Sequence, residues 1–280
     1  MLVSVLTAVV LAAPAVQQID TVIPVGDRAR LRVHAVSAEV TVRMWNRSEV
    51  RIVAQRQGRE EFAIGGSRST IQVESMTPFG TDNRIDITAP ATLGLEIEGA
   101  FVSADIEGVR ADVRVVSAHG ELRLVGGAGL VKLQTVQGNV ECRGARGRIE
   151  VGTTNGELSV VDVDGAVVAE TVNGPVTLTG IASDAVEATS VNGDITYRGT
   201  FRDGGRYAFG AHNGNVNVFV PAGTDADVLV SQFSGEFESD FPITLTGTRS
   251  PAKRFNFTIG NGGARIELSS FGGTIRLRRP

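Results

Sequence analysis

The sequence predicts an all-β fold: a single elongated β-solenoid of parallel stacked two-strand coils, each about 18 to 21 residues long, behind an irregular N-terminal β cap. Three observations predict it. Seven glycines recur at intervals of nine, at Gly120, Gly129, Gly138, Gly147, Gly156, Gly165 and Gly174. Two residues after each stands an aliphatic side chain (Leu122, Val131, Val140, Ile149, Leu158, Val167, Val176), and four after stands another apolar one (Leu124, Leu133, Cys142, Val151, Val160, Ala169, Leu178), with a mostly polar residue between. Alternation of period two is the pleat of a strand with one buried face, so each unit reads as a turn glycine and a short strand. The glycines also alternate in kind. Gly120, Gly138, Gly156 and Gly174, continued by Gly193, Gly214, Gly235 and Gly273, mostly follow His, Gln, Asn, Ser or Gly and precede an acidic, amide or proline residue, whereas the others have looser surroundings. Two turn types imply a coil of two strands and two turns.

The elements follow in order. Residues 2–13 form an apolar run that leads into Ala13-Pro14-Ala15, the small-x-small pattern of a signal-peptidase site. Residues 1–15 are therefore expected to be a signal peptide, with a mature chain beginning near Val16 outside the cytoplasm, whether periplasmic, secreted or at the cell surface. No Lys or Arg precedes Arg28, a departure from the usual leader. The run falls short of the roughly 20 residues that cross a bilayer, so no membrane span is expected in the mature chain. Residues 16–91 read as irregular first strands and a cap, since an open solenoid end would be an aggregating edge. Within them residues 28–35, 39–44 and 50–54 read as strands, the last two joined by the turn Trp45-Asn46-Arg47-Ser48-Glu49. Residues 65–83, rich in Gly, Ser, Thr, Pro and charge, are expected to protrude as a loop. From 92 to 280 the repeat array forms one continuous domain with the cap, in roughly nine to eleven coils of right-handed winding. Residues 241–255 interrupt its metre before 264–277 restore it.

Stacked coils lie about 4.8 Å apart, so equivalent positions form columns. Ser117, Thr135, Thr153, Thr171 and Ser190 make one, and Asn155, Asn173, Asn192 and Asn213 another. Arg123 is expected beneath Glu141, and Lys132 beneath Glu150, each pair worth about 0.2–1 kcal/mol.

Composition narrows the chemistry. Aromatics are only 5% of the chain, so the core is expected to be Val, Ile, Leu and Ala. A net charge of −4, from 27 basic and 31 acidic residues, gives no footprint for nucleic acid. The single cysteine excludes an internal disulfide, and Cys142 lies in an inward column, where it reads as a small hydrophobe. An enzymatic alternative, a polysaccharide lyase or hydrolase on a β-helix, needs acids, bases or metal ligands converging on one face. His119 and His212 instead precede turns five coils apart, His34 lies in the cap, and Asp162 and Asp164 read as turn solvation. A calcium β-roll would need turn aspartates that most rungs lack. No catalytic residue, cofactor or metal is expected.

The Trp45-Asn46-Arg47-Ser48-Glu49-Val50 turn, Ala-Pro-Ala at 89–91, the serial Val-Asn-Gly units, Val220-Pro221-Ala222-Gly223 and the closing Ser270-Phe271-Gly272-Gly273-Thr274-Ile275 appear in this order. In that order the chain resembles the bacterial putative-adhesin family of β-strand-repeat proteins of unknown function. The resemblance implies a non-catalytic role in surface attachment and supplies no catalytic residues. The candidate contact residues are the corner asparagines Asn155, Asn173, Asn192 and Asn213, together with Trp45 and the 65–83 loop. The expected partner is a glycan or another cell-envelope protein; the oligomeric state is left open.

Overall fold

A computed structural model describes residues 16–57, 62–75, 83–242 and 253–280. The expected signal peptide lies outside the described residues. The N-terminal elements are β1 (Val16–Pro24), β2 (Arg30–Trp45), β3 (Glu49–Gln57), β4 (Phe62–Gly66), β5 (Thr70–Ser75), β6 (Arg84–Pro90) and β7 (Gly94–Val109). The array comprises β8 (Val113–His119), β9 (Leu122–Gly126), β10 (Ala128–Gln134), β11 (Val140–Arg143), β12 (Arg146–Asn155), β13 (Leu158–Val161), β14 (Asp164–Asn173), β15 (Val176–Ile181), β16 (Ala185–Asn192), β17 (Ile195–Gly199), β18 (Arg206–Asn213) and β19 (Val216–Phe219). The C-terminal elements are β20 (Ala226–Gln232), β21 (Phe237–Ser239), β22 (Lys253–Ile259), β23 (Ala264–Ser270) and β24 (Ile275–Arg278). The fold is all-β, a large and mostly parallel sheet, with no helix among the described residues.

From β8 to β17 every strand pairs in parallel with the strand two places on. One ladder runs through β8, β10, β12, β14, β16 and β18. The other runs through β9, β11, β13, β15, β17 and β19. Like residues meet: Val131 faces Ile149, which faces Val167. All fourteen positions of the two apolar columns are buried between the ladders.

The expectation of an aliphatic core is corrected at two places: at the C-terminal end, where Phe257 is buried, and within the array. Where the coil lengthens after β17, Tyr197, Tyr207 and Phe209 are fully buried. Their rings fill the wider interior, with Tyr197 and Phe209 centroids 4.8 Å apart. The hydroxyls still find partners: Tyr207 donates to the Ser183 carbonyl at 2.6 Å and Tyr197 to that of Thr200 at 2.9 Å.

Both ends depart from simple winding. β2 lies in parallel between β7 on one side and β5 and β6 on the other, although β5 and β6 come later in the chain. Antiparallel pairings β4–β5, β3–β6 and β1–β3 finish that end. At the far end β23 and β24 insert between β18 and β19 and the earlier β20 and β21, while β22 adds outside β20 in antiparallel sense. The expected 65–83 loop is corrected accordingly. Thr70–Ser75 is a strand, because Ile71 and Val73 alternate with polar neighbours and are fully buried, and residues 76–82 lie outside the described residues. The 241–255 break likewise already contains the start of β22.

The turn glycines are fixed by stacking. At Gly156 (φ +158°) an added Cβ would lie 2.6 Å from the carbonyl carbon of Gly138 one rung below and closer still to its oxygen. The hydroxyl column uses those same carbonyls: Thr153 donates to Gly138 at 3.0 Å and Ser190 to Gly174 at 3.1 Å.

Candidate functional site

The asparagine corner forms at the C-terminal ends of β12, β14, β16 and β18, where the chain turns from one ladder into the other. The register places Asn155 against Asn173, Asn173 against Asn192 and Asn192 against Asn213, with sequence steps of 18, 19 and 21 residues. Each side-chain Nδ2 donates to the Oδ1 of the asparagine one rung below, at 2.8, 2.8 and 2.9 Å. All four are exposed. Asn173 and Asn192 each spend one donor and one acceptor on their neighbours, whereas Asn155 only accepts and Asn213 only donates, so every amide keeps hydrogen-bonding capacity for solvent. The structure therefore brings the four predicted asparagines into one ladder. Bridges from His119 to Gln137 and from Gln137 to Asn155 extend the column downward.

Trp45 does not join them. It ends β2, where its indole Nε1 donates to the Glu49 carbonyl at 2.8 Å and the Arg47 guanidinium sits 5.0 Å above its ring. Those contacts make it a staple of its own turn.

Two companion features were missed. Val136, Val172 and Val191, which precede Gln137, Asn173 and Asn192 on this corner, are exposed and apolar, with the half-buried Thr154 between the first two. The same flank continues into stacked rings, with His212 and Phe271 centroids 4.7 Å apart and Phe271 and Phe233 centroids 4.6 Å apart, the last pair within 5° of parallel. Phe233 and Phe271 are 54% and 45% exposed, enough edge for a ligand to meet. Val-Asn-Gly as a recurring tripeptide carried the signal for the valines. Nothing local carried it for the rings, because Phe271 and Phe233 reach neighbouring rungs only through the out-of-order insertion of β23.

Second, the Asn or Asp after some of the turn glycines ties rungs together. Asn139 Oδ1 accepts from the Glu157 N–H at 2.9 Å, and Asp194 Oδ1 from the Asn215 N–H at 2.8 Å. That explains Asn139, Asp194 and Asn215 beside their turns as structural acceptors.

Charge is ordered along the outer face of the second ladder. Arg43 and Arg123 both bind Asp105, at 2.5 and 2.9 Å, Arg123 also binds Glu107 at 2.6 Å, and the predicted Arg123–Glu141 pair is present at 3.6 Å. On the first ladder Lys132 and Glu150 meet at 3.6 Å. Burial works to raise the Asp105 pKa, but the bonds from Arg43 and Arg123 together hold it below the ordinary carboxylate value. Cys142 is enclosed in the core, and burial pushes its thiol up to about 12. Among the described residues no group of three or more His, Cys, Asp and Glu side chains is placed to hold a metal, and no helix is long and apolar enough to cross a membrane.

The solved structures similar to this chain include a putative adhesin from Bacteroides fragilis, 14% identical, covering 95% of this chain and 99% of that one, with a TM-score of 0.35. A putative cell adhesion protein from Clostridium sporogenes is 8% identical over 95% of this chain and 100% of that one, with a TM-score of 0.26. A putative lipid binding protein from Parabacteroides distasonis is 12% identical over 93% of this chain and 96% of that one, with a TM-score of 0.35. They assign no function here. No curated protein matches the chain. The family description Toastrack DUF4097 matches residues 16–278. With its ladders of in-register strands from cap to C-terminus, the chain belongs to the Toastrack DUF4097 family.

Proposed function

We propose that this chain is an extracytoplasmic, non-catalytic, adhesin-like module of the cell envelope that binds through the asparagine corner. Residues 1–15 would serve as its leader. The observation that carries the reading is the composite strip at that corner: a ladder of half-used amides beside a column of exposed Val, His and Phe side chains. An extended sugar chain presents the complementary surface, hydroxyls for the amides and C–H faces for the apolar column. Repetition at each rung suits a repetitive ligand. The test is binding of the secreted chain to a glycan array and to cell-wall preparations. The double variant N173A/N192A, with unchanged circular dichroism, is expected to lose most of the binding. Undiminished binding by the folded variant would remove the corner from the mechanism.

A further inference from the structure

The outer face of the first ladder carries a second, chemically different feature. Across β12, β14, β16, β18 and β23 lies a depression of about 440 Å³. Its floor forms because outward positions shrink to Ala166, Ala185 and Ala208. Arg148 stands at one end, held by Glu150 at 2.7 Å. At the other end Arg206 and Arg265 face each other in parallel register, both exposed. Like charges opposed on adjacent strands destabilise a sheet, yet among the described residues neither guanidinium has a carboxylate partner. Asp227 is in register with Arg265 on its other side, but its carboxylate accepts from Thr258 at 2.9 Å instead. Glu187 and Glu267 also line the depression without ion pairs among the described residues.

We propose that this depression binds an acidic polysaccharide of uronate type, laid along the stack. Two unneutralised guanidiniums on adjacent rungs, about 4.8 Å apart, are spaced to share one carboxylate, the charge-assisted geometry arginine favours. Glu187 and Glu267 accept hydroxyl donors, which a sugar acid has on several carbons and an isolated sulfate lacks. The alanine methyls meet the C–H face of the ring. From Arg148 to Arg206 is three rungs, about 14 Å, room for more than one sugar unit. The proposal rests on the reading of the chain as a glycan-binding module and gives it a second face.

The test is calorimetric titration of the chain with hexagalacturonate and with its methyl ester, for the wild type, R206A/R265A and N173A/N192A. The acid is expected to bind, the ester at least tenfold more weakly, and R206A/R265A to lose at least tenfold for the acid while its melting temperature stays level or rises. Binding of acid and ester alike, or acid binding by R206A/R265A within twofold of wild type, overturns the groove. So does a wild type that ignores the acid while still binding glycans through the asparagine corner. A chain that binds no glycan at all overturns both readings.

Discussion

Replacing Gly156 by valine tests how closely the turns are stacked. The added Cβ would sit 2.6 Å from the carbonyl carbon of Gly138, which belongs to the backbone of the rung below. Ordinary carbon contact begins near 3.5 Å, so the two rungs must part by about 1 Å. The bonds that would stretch are Gly138 N–H to the Asn155 carbonyl, 3.0 Å, and Val140 N–H to the Glu157 carbonyl, 2.9 Å. Each would pass the limit of a hydrogen bond. Two lost bonds at about 0.5–1.5 kcal/mol each, with overpacking strain of about 1–3 kcal/mol, give about 2–6 kcal/mol, a large share of the roughly 5–15 kcal/mol that holds a domain together. The control is Gly144, whose φ is +68° but whose added Cβ would meet nothing within 4 Å. G144A should cost only the left-handed backbone penalty, about 1–2 kcal/mol. Urea unfolding followed by circular dichroism reads both. Equal midpoints for G156V and G144A, or a G156V midpoint near that of a surface change at Glu157, would refute the stacking argument.

Other predictions follow from the charge and core chemistry. Cys142, with its thiol pushed up to about 12 by burial, should resist iodoacetamide at pH 8 in the folded chain and react promptly in urea; rapid alkylation of the native protein would contradict its placement. Asp105 has a depressed folded pKa, so its contribution is complete above the ordinary carboxylate value of about 3.9 and fades as pH falls through the folded value. Asp105→Asn should therefore flatten the loss of stability below about pH 4 and leave the neutral-to-alkaline profile parallel to wild type. An unchanged acid limb would show that the Arg43 and Arg123 contacts contribute nothing.

What was legible in the sequence was what repeats. The nine-residue metre located both inward columns, the asparagine ladder and the Arg123–Glu141 contact, because each occupies one fixed place in the repeat. The ends were not legible. β20 and β23 carry the same alternation, Ala-Asp-Val-Leu-Val and Ala-Arg-Ile-Glu-Leu, so nothing local says which lies next to β18. The choice belongs to long-range pairing. Arg43 escaped notice for a related reason: β2 precedes the metre, and its partners Asp105 and Glu107 sit in a strand that turns a corner without a turn glycine at the expected interval. The alanine floor was invisible because the metre reports inward residues, whereas Ala166, Ala185 and Ala208 face outward.

The in-register stack, with its inserted C-terminal rung, is tested most directly by electron–electron distances between spin labels on the outer face of the second ladder. With one label at Arg123, the second is placed at Thr196, Asn217, Arg276 or Glu238, which lie four, five, six and seven rungs away by the observed pairings. At about 4.8 Å per rung the distances should climb from about 19 to 24, 29 and 34 Å, with Arg276 nearer than Glu238 despite coming later in the chain. Distances that fail to climb, as in a hairpin meander, or a Glu238 label nearer than Arg276, would contradict it.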